Sequence, residues 1–211
     1  MHFLITAGPT REALDPVRYL SNRSSGRMGF ALAAAAAGAG HDVALIAGPV
    51  SLATPEGVTR VDVTTAQEMF DAVSRFIPAA DAAIFSAAVA DYRPASPAAH
   101  KIRKSAATLT LTLERTPDIL GSVRSEFGWR GFLVGFAAET EDVLGRAREK
   151  LERKGCDVIV ANDVSQPGIG FDAPENEVTL VFKDGSMQAL PRMAKEKLAK
   201  LLIVEFERSL L

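Results

Sequence analysis

His2-Phe3-Leu4-Ile5-Thr6-Ala7, answered only much later by Ser24-Ser25-Gly26-Arg27-Met28-Gly29, decides the fold. The first stretch reads as an apolar strand. The second opens a helix. Between them runs Gly8-Pro9-Thr10-Arg11-Glu12-Ala13-Leu14-Asp15-Pro16-Val17-Arg18-Tyr19-Leu20-Ser21-Asn22-Arg23. Strand-to-helix loops in α/β units usually take about 2–6 residues, and longer ones are often functional. This one carries Arg11, Arg18 and Arg23 and delivers Asn22 and a serine pair to a helix N-terminus. Free N–H groups and the positive end of a helix dipole suit an anion there. A serine N-cap without a ligand is the plainer reading of Ser24-Ser25-Gly26 by itself; the loop length and the arginines favour function.

Outward from this start, strand and helix alternate. Strands are predicted near 2–7, 42–47, 58–63, 82–87, 131–136 and 157–161, and helices near 25–39, 66–77, 117–126, 142–155 and 192–208. That order implies right-handed βαβ units, hence an α/β fold with a Rossmann-like, doubly wound, mostly parallel sheet. Two segments depart from it. Thr108-Leu109-Thr110-Leu111-Thr112-Leu113 alternates polar and apolar, which predicts an antiparallel strand buried on one face. Glu177–Phe182 and Met187–Leu190 flank Lys183-Asp184-Gly185-Ser186, which predicts a hairpin with an Asp-Gly turn. Such an antiparallel arm or hairpin is expected to cover a sheet edge or to pair with a second subunit.

The chain has 211 residues, 47% of them hydrophobic, and a formal net charge of -2. This suits a single domain over 1–211. It lacks the basic excess of a general nucleic-acid binder. No apolar run approaches the ~20 residues of a membrane helix. The chain begins with Met1 leading straight into a core strand, so no signal peptide is expected, and its one cysteine, Cys156, allows no intrachain disulfide. A cytoplasmic location follows as an expectation. Cys156 reads as packing, and His2, His41 and His100 have no metal-ligand spacing.

A dinucleotide site fails two checks. No G-x-G-x-x-G follows the first strand, and the second strand ends Ala47-Gly48-Pro49, without an acidic residue for a ribose diol. The remaining candidates each carry an ordinary alternative. Ser86-Ala87-Ala88-Val89-Ala90-Asp91-Tyr92-Arg93-Pro94 follows a buried strand at the edge where open α/β sheets bind ligands. There Ala87 and Ala88 admit close approach, and Asp91 is either a ligand group or a turn residue. Lys101-Ile102-Arg103-Lys104 after a Pro/Ala-rich stretch is either a cationic flap or a solvated turn. Pro117-Asp118-Ile119-Leu120 starts a helix and offers its amides. Lys150 and Lys154 share one helical face, which from spacing alone is solvated. Asn162-Asp163 closes another strand at the same edge.

Gly8-Pro9-Thr10-Arg11-Glu12, Asp15 to Gly29, Ala87-Ala88-Val89-Ala90-Asp91-Tyr92-Arg93, Lys101 to Lys104, Pro117-Asp118-Ile119-Leu120, Gly135-Phe136-Ala137-Ala138-Glu139-Thr140 and Ala161-Asn162-Asp163-Val164, in this order, closely resemble the phosphopantothenate–cysteine ligase family. Arg27 and Arg103 stand where that family commonly has lysine.

The resemblance implies a ligase of coenzyme A synthesis that joins 4′-phosphopantothenate to L-cysteine through an acyl-cytidylate, releasing CMP and pyrophosphate. It implies Asn22 and Lys101 as catalytic residues, Asn22 at the acyl carbonyl and Lys101 at the triphosphate. It places the nucleotide on Phe85, Ser86, Ala87, Asp91, Lys101, Pro117, Asp118, Ile119, Leu120, Phe136, Lys150 and Lys154. Phosphate and substrate fall to Arg18, Asn22, Ser24, Ser25, Gly26, Ala87 and Ala88. The Lys150–Lys154 pair matches the bacterial, CTP-using pattern. Magnesium is expected to arrive on the triphosphate, with no dedicated protein metal site. A homodimer is implied, paired through Thr108–Leu113 or the Lys183–Ser186 hairpin. So is a flavin-dependent decarboxylase, fused or separate. The alternatives are an NAD(P)-dependent oxidoreductase and a nucleotide-binding module without ligase activity.

Overall fold

A computed structural model describes residues 1–104, 107–165, 170 and 173–210. The elements, in order, are β1 (His2–Ala7), β2 (Arg11–Ala13), β3 (Tyr19–Ser21), α1 (Arg27–Gly38), β4 (Asp42–Ala47), β5 (Val58–Asp62), α2 (Ala66–Phe76), β6 (Ala82–Phe85), β7 (Tyr92–Pro94), β8 (Leu113–Arg115), α3 (Ile119–Ser125), β9 (Phe132–Glu139), α4 (Val143–Lys154), β10 (Val158–Asp163), β11 (Glu175–Phe182), β12 (Met187–Ala194) and α5 (Lys195–Leu210). One eight-stranded sheet runs β12-β11-β10-β9-β6-β1-β4-β5. Its strands from β10 to β5 are parallel, and β11 and β12 add an antiparallel hairpin at one edge.

From β1 the chain winds outward to β4 and β5, then returns through α2 to β6 on the other side of β1 and continues to β9 and β10. The winding direction reverses between β1 and β6. The carboxyl end of that pair is the topological switch point, where ligands of open α/β sheets bind. Because connections are right-handed, the reversal places helices on both faces. Phe3, Ile5, Val134, Val158 and Val160 pack with α1 and α5; Leu4, Leu133 and Ile159 pack with α2, α3 and α4. Alternate residues of one strand thus feed two cores, which is why the central strands read as continuous apolar runs.

The long first loop is an excursion whose ends meet. Gly8 (φ 77°) and Gly26 (φ 75°) are both left-handed, and a Cβ built on Gly26 would stand 3.3 Å from the Gly8 Cα. Strand β1 therefore passes into α1 through the short turn that a βαβ unit prefers, and a small hairpin, β2 paired with β3, bulges from it. The hairpin is anchored outward: Glu12, buried, accepts from the Ala66 N–H at the start of α2 through Oε1 at 2.8 Å.

Three expectations need correction. Residues 108–112 form no strand; only Leu113–Arg115 pairs, with Tyr92–Pro94. The apolar side of that alternation is exposed, Leu109 at 58% and Leu113 at 42%, because none of the described residues lies beneath it. The final helix starts at Lys195 and not near 192, since β12 runs on to Ala194. The Lys183–Ser186 turn joins β11 to β12 as expected, but β11 is antiparallel to β10, so Phe182 pairs with Val158. That turn lies at the amino edge of the parallel strands, opposite the switch point.

Candidate functional site at the sheet's carboxyl edge

A cavity opens at the switch point on the α1/α5 face. The first turn of α1, with Ser24, Ser25 and Gly26 before it, forms one wall; Ser86, Phe136, Asn162, Asn176 and Lys195 are among the residues that form the others. The walls follow from strand alternation. On this face Ile84 gives way to Ser86, Val160 to Asn162, and Val178 to Asn176, so each strand turns from apolar to polar as it leaves the core. The N-cap of α1 is Gly26 with no side-chain cap, and the first turn has no acidic residue. Its amides therefore face the cavity with the positive end of the helix dipole behind them. Gly29 brings that helix end down onto the sheet: a Cβ there would lie 2.5 Å from Ala7 Cβ and 2.6 Å from Ser86 Oγ. Gly8, Gly26 and Gly29 thus do in space what G-x-G-x-x-G does in sequence, with the hairpin inserted after the first glycine.

Beside the cavity, the loops following β1 and β6 are laced together. Asn22 Nδ2 donates to Ala88 O at 3.1 Å and Val89 O at 2.9 Å, the Ala90 N–H donates to Thr10 Oγ1 at 3.0 Å, and the Ala88 N–H to Gly8 O at 2.9 Å. Asn22 therefore holds the 86–91 loop, and its donation to an acyl oxygen requires a substrate to take the place of one of the two carbonyls.

The flap is held too. Asp15 Oδ1 accepts from the N–H groups of Val17 at 2.8 Å and Arg18 at 2.9 Å, while Oδ2 accepts from Arg18 Nε at 3.0 Å and the Ile102 N–H at 3.1 Å. Arg18 Nη2 donates onward to Ile102 O at 2.9 Å. The Arg18 guanidinium, outweighing the cost of burial and helped by these N–H groups, holds the Asp15 carboxyl far below the usual carboxylate range. Arg18, expected at a phosphate, is in this arrangement a strut between the first loop and the flap. It leaves Lys101 exposed beside Ile102.

Residues expected around the nucleotide separate into two groups. Ser86 and Phe136 line the cavity with Ser24, Ser25 and Gly26. Asp118, Lys150 and Lys154 lie across β9, on the α3/α4 face. Asp118 caps α3, accepting from the Gly121 N–H at 3.0 Å, and is paired with Lys154. Burial would raise the Asp118 pKa, but the Lys154 ammonium and the Gly121 N–H bring it below the ordinary value. Lys150 donates to Phe136 O at 2.7 Å, and burial pushes its pKa down. Neither lysine is the solvated side chain that spacing alone suggests. Phe85 and Ile119 are 8% and 4% exposed and pack in the core with α2 and α4, so only their main chain is available to a ligand. Asp91 is exposed, with its carbonyl accepting from the Thr116 N–H at 3.0 Å. Burial pushes the Cys156 thiol up to about 12, in keeping with a packing role.

Sequence reasoning missed Asn176 and Lys195. Both are buried, at 4% and 3% exposure. The legible signal was the step from Val178 back to Asn176 on a strand's inward face; Lys195 at a helix start gave none.

The model of the DNA/pantothenate metabolism flavoprotein C-terminal domain family matches residues 1–209. The chain belongs to that family. Its relatives in the family include the coenzyme A biosynthesis bifunctional protein CoaBC of Vibrio cholerae, 54% identical over 198 residues, covering 93% of this chain and 49% of that protein. CoaBC of Escherichia coli K12 is 51% identical over 208 residues, covering 97% of this chain and 51% of that protein. The chain thus spans about half the length of these relatives. The crystal structure of a CoaBC C-terminal domain superposes with a TM-score of 0.84 at 41% identity, covering 99% of this chain and 95% of that one. A Cab2 variant solved with phosphopantothenate-cysteine shares the fold, at a TM-score of 0.79 and 18% identity over 99% of this chain and 86% of that one. No helix among the described residues is long and apolar enough to cross a membrane.

Proposed function

We propose that this chain is a phosphopantothenate–cysteine ligase, joining 4′-phosphopantothenate to L-cysteine at the expense of CTP. The observation that carries the reading is the meeting, at one sheet edge, of an uncapped helix N-terminus, a cavity into which Ser86, Asn162 and Asn176 project from the strand ends, and a cationic flap. Half-length similarity to the CoaBC proteins, whose name places them in coenzyme A biosynthesis, supports the pathway.

A carboxylate is a poor electrophile and must first be activated. The pantothenate carboxylate oxygen attacks the α-phosphorus of CTP, the bond to the β-phosphate oxygen breaks, and pyrophosphate leaves with its electron pair. The cysteine amine then attacks the acyl carbon, and the acyl–oxygen bond to CMP breaks. Both steps gather negative charge, and donors fixed in advance stabilise it without reorganising. The amides of α1 and the Ser24–Ser25 turn hold a phosphate of the nucleotide, because Ser86 and Phe136 line the same cavity. Lys101 brings the flap's charge to the departing phosphates. Asn22 lies between the two loops where the acyl group reacts. A nucleotide over the end of β9 also reaches Asp118, Lys150 and Lys154. Magnesium carried in with CTP would be held largely by the phosphates and would neutralise their charge, with the exposed Asp91 the carboxylate that would accept from its waters.

Pyrophosphate release with phosphopantothenate, cysteine and CTP tests the reading. Turnover with CTP well above that with ATP is expected. Lys101→Ala should lower pyrophosphate release; an unchanged rate refutes its assignment. Nucleotide binding without pyrophosphate release would leave only a binding module.

The same reading includes a homodimer in the cytoplasm, working with a flavin-dependent decarboxylase, and a single domain over 1–211. The exposed Leu109, Leu111 and Leu113, beside Tyr92, supply an apolar strip for a second copy, and its neighbourhood to the flap brings that copy to the site. A fully active monomer in sedimentation velocity would eliminate this contact.

A further inference from the structure

We propose that Asp15 is a positioning residue for the nucleotide step: one oxygen of its buried carboxylate builds the turn at 14–18, and the other pins the flap at Ile102, which fixes where Lys101 presents its charge. This rests on the ligase reading above and adds to it how the flap is set.

The segment from Ala95 to Lys104 has no helix or strand of its own. Every residue in it is exposed except Ala98 and Ile102, which are half-buried. Both are held by the first loop. The Ala98 N–H donates to Leu14 O at 2.9 Å. Ile102 is gripped at both main-chain groups: its N–H donates to Asp15 Oδ2 at 3.1 Å, and its carbonyl accepts from Arg18 Nη2 at 2.9 Å. The grip falls on the residue next to Lys101 and leaves the lysine exposed. A loop without secondary structure samples many positions, and holding its charged group in place beforehand removes the cost of ordering it during the reaction.

The chemistry at Asp15 separates this task from a purely structural one. Oδ1 accepts from the N–H groups of Val17 at 2.8 Å and Arg18 at 2.9 Å, a turn that asparagine makes as well as aspartate. Oδ2 accepts from Arg18 Nε, Arg18 Nη2 and the Ile102 N–H. The turn by itself needs no carboxylate. The second oxygen does, because an amide NH2 in its place would meet the guanidinium and the Ile102 N–H donor against donor. Asp15 is 3% exposed, so a charge is kept there against the cost of desolvation. What that charge secures is the Arg18 fork, and with it the hold on both main-chain groups of Ile102.

Asp15→Asn is the test, since it keeps the turn and loses the grip. Trypsin cleaves after Lys101, Arg103 and Lys104, so the flap reports on itself. In Asp15→Asn, cleavage there, mapped by mass spectrometry, should be about 10-fold or more faster than in wild type, with cleavage elsewhere unchanged. The kcat for pyrophosphate release should fall by about 10–100-fold. In a Lys101→Ala background the same substitution should cost less than about 3-fold, because the group it positions is gone. Ile102→Pro opens the grip from the other side: it removes the N–H, leaves the buried Asp15–Arg18 pair intact, and should slow turnover by a similar factor. Full multiplicative loss in the Lys101→Ala background overturns the proposal, and so does a flap cut no faster in Asp15→Asn. Cleavage that rises equally at all sites means a loosened fold and overturns it as well. If Asp15→Asn does not fold, Ile102→Pro decides by itself, and turnover equal to wild type overturns the proposal. In each of these cases the ligase reading stands. A wild type that releases no pyrophosphate removes the ligase reading, and trypsin then still decides whether Asp15 holds the flap.

Discussion

Asn22→Ala is expected to lower kcat by about 10²–10³ while leaving the affinity for CTP within a few-fold, the size of effect seen when one preorganised donor at a developing oxyanion is lost. Asn22 is not part of the cavity wall, so nucleotide binding has little to lose. Its amide spans the loops after β1 and β6 through Ala88 O and Val89 O, so the substitution removes the clamp and the donor together. Asn22→Asp separates these from shape: it keeps the size and one oxygen but has no N–H to give, and should be nearly as slow. Saturation kinetics beside CTP titrations decide the matter. Parallel loss of CTP affinity and turnover would place Asn22 in ground-state binding; a normal rate for Asn22→Asp would exclude donation altogether.

Gly29→Ala and Gly38→Ala should have opposite signs, although both lie in α1. Helix propensity alone favours alanine over glycine by about 0.5–1 kcal/mol. At Gly38 a Cβ meets nothing within 4 Å, so a small gain is expected. At Gly29 the new Cβ would stand 2.5 Å from Ala7 Cβ and 2.6 Å from Ser86 Oγ. Neither yields cheaply: Ala7 has no torsion to turn, and Ser86 Oγ donates to Thr6 O at 2.7 Å. Relief requires α1 to lift from the sheet, an overpacking cost of about 1–3 kcal/mol that exceeds the propensity gain. Thermal melts should show Gly29→Ala several degrees lower, at about 2–4 °C per kcal/mol for a chain of this size, and Gly38→Ala unchanged or slightly higher. Nucleotide affinity should fall with Gly29→Ala, since the lifted helix carries its amides off the phosphate. A Gly29→Ala protein as stable and as tight-binding as wild type would mean that helix and sheet do not meet as described.

Local pattern carried much of this in advance. Apolar runs gave β1, β6 and β9, the Asp-Gly turn gave the β11–β12 hairpin, and the interval between Ala7 and Ser24 gave the long first loop. Local pattern failed where burial depends on what lies underneath. The alternation at 108–112 has the form of a half-buried strand, but the described residues put no core beneath it. Lys150 and Lys154 have the spacing of a solvated face, yet one reaches the Phe136 carbonyl and the other Asp118.

Sequence by itself determined the doubly wound sheet and the family to which the chain belongs, because period, loop length and ordered motifs are properties of neighbouring residues. Only the tertiary structure decided that Gly8 and Gly26 touch, that Asp15 reaches Ile102, and that Asn162, Asn176 and Lys195 share one cavity. Those are distances between segments far apart along the chain, set by how strands align and how closely α1 settles on the sheet, and no local pattern records them.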